Sequence, residues 1–201
     1  AQSLRENAPS VLFLMVGTGQ VASALALLNG IQQLPPTTQV AIGGSYGTLC
    51  SHEFTAHRLV DAILLGEWVE AGAEFSQTVR EGRAPEEIPG VWWKSPYGWK
   101  LTSRRIYTPD LMNWPDPELE DFQGHELCRH LAWTMPIHAS RGFPFQSLFT
   151  PEPLLRHLQV SESYYHIRSP HRIVREAEKL EKEFKAARFC FVDEIFPWDE
   201  N

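Results

Sequence analysis

Three short apolar segments that run straight into glycine constrain this chain most. They are SVLFLMV (10–16) ahead of Gly17, Thr18 and Gly19, then VAIGG (40–44), then VDAILLG (60–66). Each is apolar at successive positions, the pattern of a strand covered on both faces. Helical stretches separate them. QVASALALLNGIQQL (20–34) sets Val21, Leu25 and Leu28 at i, i+4 and i+7, with Pro35 and Pro36 as its end. WVEAGAEFSQTVREG (68–82) reads as a helix closed by Gly82. Doubly covered strands alternating with helices imply a parallel, doubly wound α/β sheet, in which ligands bind at the carboxyl ends of strands.

The middle differs. GVWWK (90–94) and WKLTSRRIY (99–107) read as a small hairpin around Ser95, Pro96, Tyr97 and Gly98, and the Pro- and Asp-rich stretch 108–122 as a connector. The last third returns to α/β. TMPIHASRG (134–142) reads as a strand entering a loop, and Ser169 and Pro170 suit the N-cap and first position of a helix. That helix carries Ile173, Val174, Ala177, Leu180 and Phe184 as its apolar stripe, with Glu178–Lys182 and Glu181–Lys185 as i,i+4 pairs. ARFCFVDEIF (187–196) reads as a buried strand presenting Asp193 and Glu194 at its carboxyl end.

Charge and composition exclude several classes. With 18 Lys and Arg against 25 Asp and Glu the formal net charge is −7, and no basic run offers a face for nucleic acid or an anionic membrane. The apolar run Val11–Val16 is far below the ~20 residues of a membrane span, and the first ten residues lack a secretory layout. Cys50, Cys128 and Cys190 are scattered and odd in number, which suits a reducing compartment, and a cytoplasmic location is expected. HELCRH (125–130) fails as a zinc site. His125 and His130 are five apart and diverge by about 140° on a helix, whereas two ligands on one face need a spacing of four.

GTGQ (17–20) lacks both the third glycine of a dinucleotide fingerprint and the lysine of a P-loop. The pair Gly43–Gly44 suits either positive φ or the close approach of a ligand, and Asp193 could hydrogen-bond a polar one. The pairs Trp92–Trp93 and Tyr164–Tyr165 read as packing.

Taken in order, VLFLMVGTG…VAIGGSYGT, VDAILLGE, IPGVWWK, PDLMNWPDP, ASRGFPFQSLFT and HIRSPHRIVREAEKLEKEFKAARFCFVDEIF resemble the cobalamin-binding radical S-adenosylmethionine enzymes over nearly the whole chain. The resemblance implies a Rossmann-like cobalamin-binding half followed by the opening β/α units of a radical (TIM-like) barrel. In that family a strand-end Ser or Thr and a Gly-Gly pair lie against the cofactor's nucleotide tail, and Thr18, Gly43 and Gly44 take those places. Gly66 and Glu67 match the family's Gly-Glu element, with Trp68 where glycine is usual. Phe149 holds the place of the aromatic beside the adenine.

The departures from the family are specific. Its three cluster cysteines fall at Phe143, Ser147 and Thr150, inside the intact frame Ser140, Arg141, Gly142, Pro144, Phe145 and Phe149. Iron–sulfur clusters are held by thiolates, which these side chains lack. The family's first strand–helix units and its later barrel units have no counterpart here, so truncation is expected. The implied division is 1–88 (second half of a cobalamin-binding domain), 89–133 (linker with hairpin) and 134–201 (start of the barrel).

The expected function is that of a degenerate or partial family member, one that holds no iron–sulfur cluster of its own and acts as a cobalamin- or ligand-binding or partner subunit. The alternative is a part of an active cobalamin-dependent radical methyltransferase completed by another chain. Cobalamin is the cofactor the match retains, while S-adenosylmethionine loses the reductant that would cleave it. Unfinished sheet edges imply a homo-oligomer or a complex with a chain that completes the fold.

Overall fold

The computed structural model describes residues 8–31, 33–105, 114–117, 130, 134–145, 149–151, 154–155 and 165–196. The chain divides into two compact units, Ala1–Tyr107 with Leu154–Val160 and Thr108–Pro153 with Ser161–Asn201.

The first unit is a mixed α/β layer structure. Its strands are β1 (Val11–Met15), β2 (Gln39–Gly43), β3 (Ala62–Leu64), β4 (Val91–Ser95) and β5 (Gly98–Leu101), in spatial order β1-β2-β3-β4-β5. The pairs β1–β2 and β2–β3 are parallel, and β3–β4 and β4–β5 are antiparallel. Helices α1 (Val21–Gly30), α2 (Gly44–Leu49), α3 (Ser51–Thr55) and α4 (Trp68–Arg80) connect the parallel strands or follow them.

Period-two alternation explains why these strands read as unbroken apolar runs. Val40, Ile42, Ile63 and Trp92 join one core with Ala24 and Leu28 of α1 and Phe54 of α3. Ala41, Ala62, Leu64, Val91 and Trp93 join the other core with Phe75 of α4. Leu28, Ile42, Ile63, Leu64 and Phe75 are wholly buried, each worth about 1.5–3 kcal/mol as an upper estimate.

Several boundaries differ from the sequence expectation. Helix α1 ends at Gly30, before the prolines, with the Ile31 amide capping back to Leu27 O. Glycine is a poor helix former and Ile31 is already extended, so the turn comes one helical turn early. The hairpin forms around Pro96–Tyr97, but its second strand stops at Leu101, and β4 pairs with β3. The hairpin therefore continues the first sheet beyond residue 88.

The second unit contains β6 (Thr134–Ile137), β7 (Ser140–Gly142), β8 (Tyr165–Ile167), α5 (Pro170–Phe184) and β9 (Arg188–Phe191). The β6–β9 pair is parallel and joined through α5, whose Leu180 and Phe184 pack on Met135 and Ile137. A short antiparallel β7–β8 pair follows β6. Among the described residues these strands form no closed barrel.

Four expectations are corrected here. β9 is exposed along its length, with Phe189 at 38% and Phe191 at 43%, because among the described residues it pairs on one edge only and α5 packs chiefly on β6. Val174 lies off the buried stripe and is 56% exposed. The i,i+4 ion pair seen on α5 is Lys179–Glu183. Pro170 does open the helix, but Ser169 caps through its backbone carbonyl, not its side chain.

Candidate functional site

Because β1, β2 and β3 are adjacent and parallel, the loops that leave them emerge on one edge. Thr18 lies there in a short 3-10 turn (Thr18–Gln20) and is exposed. The Val16 amide donates to Gly43 O at 2.9 Å, and the Tyr46 amide donates to Val16 O at 3.0 Å. The end of β1 is thereby sewn to the β2–α2 turn.

This stitching is the local reason for the glycine pair. Gly44 has φ +91°, and a Cβ there would stand 2.7 Å from Val16 O and 2.9 Å from Val16 N. Only glycine permits that approach. Gly43 is extended, but a Cβ on it would meet Met15 Sδ at 2.9 Å and Trp68 Cβ at 3.4 Å. Met15 and Trp68 therefore occupy the space beside Gly43. Trp68 is held by a tilted contact with Phe13, ring centroids 6.2 Å apart.

The β3 end is positioned by Thr48, whose hydroxyl donates to Gly44 O and accepts from the Gly66 amide. Gly66 has φ +77°, and Glu67 is the extended N-cap residue of α4. Next to these two residues, on the side of α2, α3 and the hairpin, lies a cavity of about 430 Å³. Its walls include Thr48, Ser51, Leu65, Trp92, Trp99 and Leu101. The sequence reading assigned Trp92 to packing and missed the cavity. The visible signal was the alternation in β4, which sends Trp92 and Trp93 to opposite faces.

In the second unit Asp193 accepts hydrogen bonds from the backbone amides of Ala139 and Ser140 and from the Ser140 hydroxyl. Its carboxylate fixes the turn between β6 and β7. Phe143 follows β7, is 9% exposed and packs edge-on against Phe145 at 5.8 Å. Thr150 is half-buried in a bend, with its hydroxyl oxygen shielded from solvent, and Phe149 is 97% exposed. Ser147, His125, Cys128 and Tyr164 lie outside the described residues.

Nearby, Arg168, Arg172 and Arg175 converge on Asp116. Burial pushes the Asp116 carboxyl up, but the hydrogen bonds from Arg172 and Arg175 outweigh it and hold it below the usual range. Burial lowers His138, which favours its neutral form. Arg141 lies 5.0 Å over the Trp114 ring.

The fold resembles a portion of two solved cobalamin-dependent or radical S-adenosylmethionine enzymes. The cobalamin-dependent S-adenosylmethionine radical enzyme OxsB, solved with aqua-cobalamin and S-adenosylmethionine, superposes with TM-score 0.73 at 18% identity over 97% of this chain. The radical S-adenosylmethionine methyltransferase TsrM from Kitasatospora setae, solved with tryptophan substrate and an S-adenosylmethionine analogue, gives 0.67 at 14% over 96%. The chain spans 27% of OxsB and 38% of TsrM. At such identity the likeness concerns the fold. No protein-family model and no curated protein matches the sequence. No described helix is long and apolar enough to cross a membrane.

Proposed function

We propose that this chain is a ligand-binding relative of the cobalamin-dependent radical enzymes that does not hold an iron–sulfur cluster of its own. The carrying observation is the strand-end geometry. Thr18, Gly43, Gly44, Gly66 and Glu67 lie on the three loops that leave adjacent parallel strands at one edge. A polar ligand laid across that edge would meet the exposed Thr18 hydroxyl.

Cobalamin fits this edge in part. Thr18 is exposed and nothing lies within 4 Å of a Cβ added at Gly19, so the turn after β1 is open to a large group. The depth beside Gly43 is filled by Met15 and Trp68, so a cofactor reaching that depth would have to displace the protein's own side chains. Retention of cobalamin is therefore expected to be weak. When bound, cobalamin supplies a methyl-carrying cobalt centre, and no residue described here is assigned a step at it.

An iron–sulfur cluster does not fit. Phe143 is a packed hydrocarbon ring, and the Thr150 hydroxyl stays protonated near neutrality. Without a cluster the chain has no route for the electron that cleaves S-adenosylmethionine, so Phe149 has no adenosyl chemistry to serve. Asp193 acts here as a positioning residue for the 139–140 turn.

A second reading, in which another chain completes an active methyltransferase, is favoured by one observation. Phe189, Phe191 and Val192 leave an apolar surface on and beside β9. On either reading the partner is protein, a second copy or a completing chain, and neither a nucleic acid nor a membrane is involved.

Titration with hydroxocobalamin, read by the cofactor's visible spectrum and by co-elution on gel filtration, tests the binding claim. Unchanged spectra at excess protein sink it. Anaerobic reconstitution with iron and sulfide tests the other half. The chain as it stands should return no bound iron, and the triple substitution Phe143→Cys, Ser147→Cys, Thr150→Cys should gain it.

A further inference from the structure

We propose that the cavity walled by Trp92 and Trp99 is a binding site for a flat, uncharged, two-ring aromatic group carrying one hydrogen-bonding substituent. It borders the strand-end edge, sharing Gly66 and Glu67 with it, and none of Thr18, Gly43 and Gly44 lines it. All of its lining residues belong to the first unit. At about 430 Å³ it falls within the size range of small-molecule sites, which are mainly apolar with a few placed polar groups.

The aromatic wall is set in advance. The Trp99 indole N–H donates to Thr55 O at 3.1 Å, which fixes that ring, and Trp92 meets it in a T-shaped contact with centroids 5.9 Å apart. Both rings are half-exposed, and Leu101 beside them is 63% exposed. A stacking partner would cover this surface while costing little side-chain entropy, because the rings are already held. Water in the same space meets few polar partners, so its displacement is favourable.

The polar groups narrow the ligand class. The Thr48 hydroxyl is spent on Gly44 O and the Gly66 amide. Arg105 is engaged by Glu70, Glu74 and Pro89 O, so its charge is already balanced, and the two other charged lining residues, Glu67 and Arg104, also have partners. Ser51 and Ser103 line the cavity, and their hydroxyls make no hydrogen bond among the described residues. They suit one polar edge on an otherwise apolar ring system. Gly66 and Gly90, both at φ +77°, shape the floor, and a Cβ at Gly90 would crowd Arg105 Cβ at 3.3 Å.

The test compares 2-naphthol with its saturated counterpart decahydro-2-naphthol, read by the indole N–H shifts of the intact chain in nuclear magnetic resonance. The naphthol should bind at least tenfold more tightly and move the Trp92 and Trp99 signals. Leu101→Trp fills the cavity from an exposed position and should weaken binding at least tenfold. Ser51→Phe, from α3, should do the same. Equal binding of the two probes, or full binding to both variants, overturns the proposal. Displacement of naphthol by excess hydroxocobalamin also overturns it, because the cavity would then belong to the strand-end site. Failure of hydroxocobalamin to bind leaves the expected naphthol results unchanged, so the two readings fail separately.

Discussion

Asp61 and Val40 hold each other reciprocally. The Val40 amide donates to Asp61 Oδ2 at 2.9 Å, and the Asp61 amide donates to Val40 O at 2.9 Å. A carboxylate thus supplements the parallel β2–β3 ladder just before β3 begins. Burial raises its pKa, and the Val40 hydrogen bond and Lys94 offset this only in part.

The sign of the pH effect follows. Between the ordinary carboxyl pKa of about 3.9 and the raised folded value, the folded chain holds a proton that the unfolded chain has released. Asp61 therefore favours the fold most at low pH, and its contribution shrinks as pH rises through that window. Asp61→Asn keeps an acceptor for Val40 and removes the titration. Urea melts from about pH 4 to neutrality should show a smaller fall in stability for the variant than for the parent. Parallel curves would show that another group titrates.

Gly44→Ala should cost about 2 kcal/mol or more, because it places a Cβ against the Val16 backbone at positive φ. Gly82→Ala is the control. Its φ is +69° but nothing lies within 4 Å of the added carbon, so the loss should be smaller. Denaturant midpoints of the two variants decide it, and equal losses would mean that crowding by Val16 is not the cause.

Trp68→Ala should open the side of Gly43 that Met15 and Trp68 now fill. The half-buried ring also contributes packing, so a loss of about 2 kcal/mol in stability is expected. Hydroxocobalamin uptake, followed by absorbance, should rise at least tenfold over the parent. Uptake that falls together with stability would show that the ring does not obstruct the cofactor.

Asp193→Asn removes a charged acceptor shared by the Ala139 and Ser140 amides, which is worth about 2 kcal/mol. Amide hydrogen exchange at 139 and 140 should accelerate while exchange in β2 is unchanged. Protection retained at both amides would rule out the positioning role.

Legibility from the sequence followed burial. β2 and β3 were readable because buried neighbours point alternately into two cores, which leaves no room for polar residues. The same rule misled at β9. RFCFV has the composition of a buried strand, yet its exposure depends on how few strands pair beside it, and pairing is a long-range property. Gly43 and Gly44 could be flagged as special without their reason being visible. The approach of Val16 is set by how β1 and β2 end together. The cavity was hidden because its walls come from α2, α3, β3 and the hairpin, segments up to 50 residues or so apart in sequence.

The hairpin has a practical meaning for anyone dissecting this protein. Trp92 pins one layer of the first unit and Trp93 pins the opposite layer, like a rivet through two plates. A fragment cut at residue 88 would strip both plates at once and fray from its β3 margin. A stable excised first unit has to carry at least the β4–β5 ribbon with it.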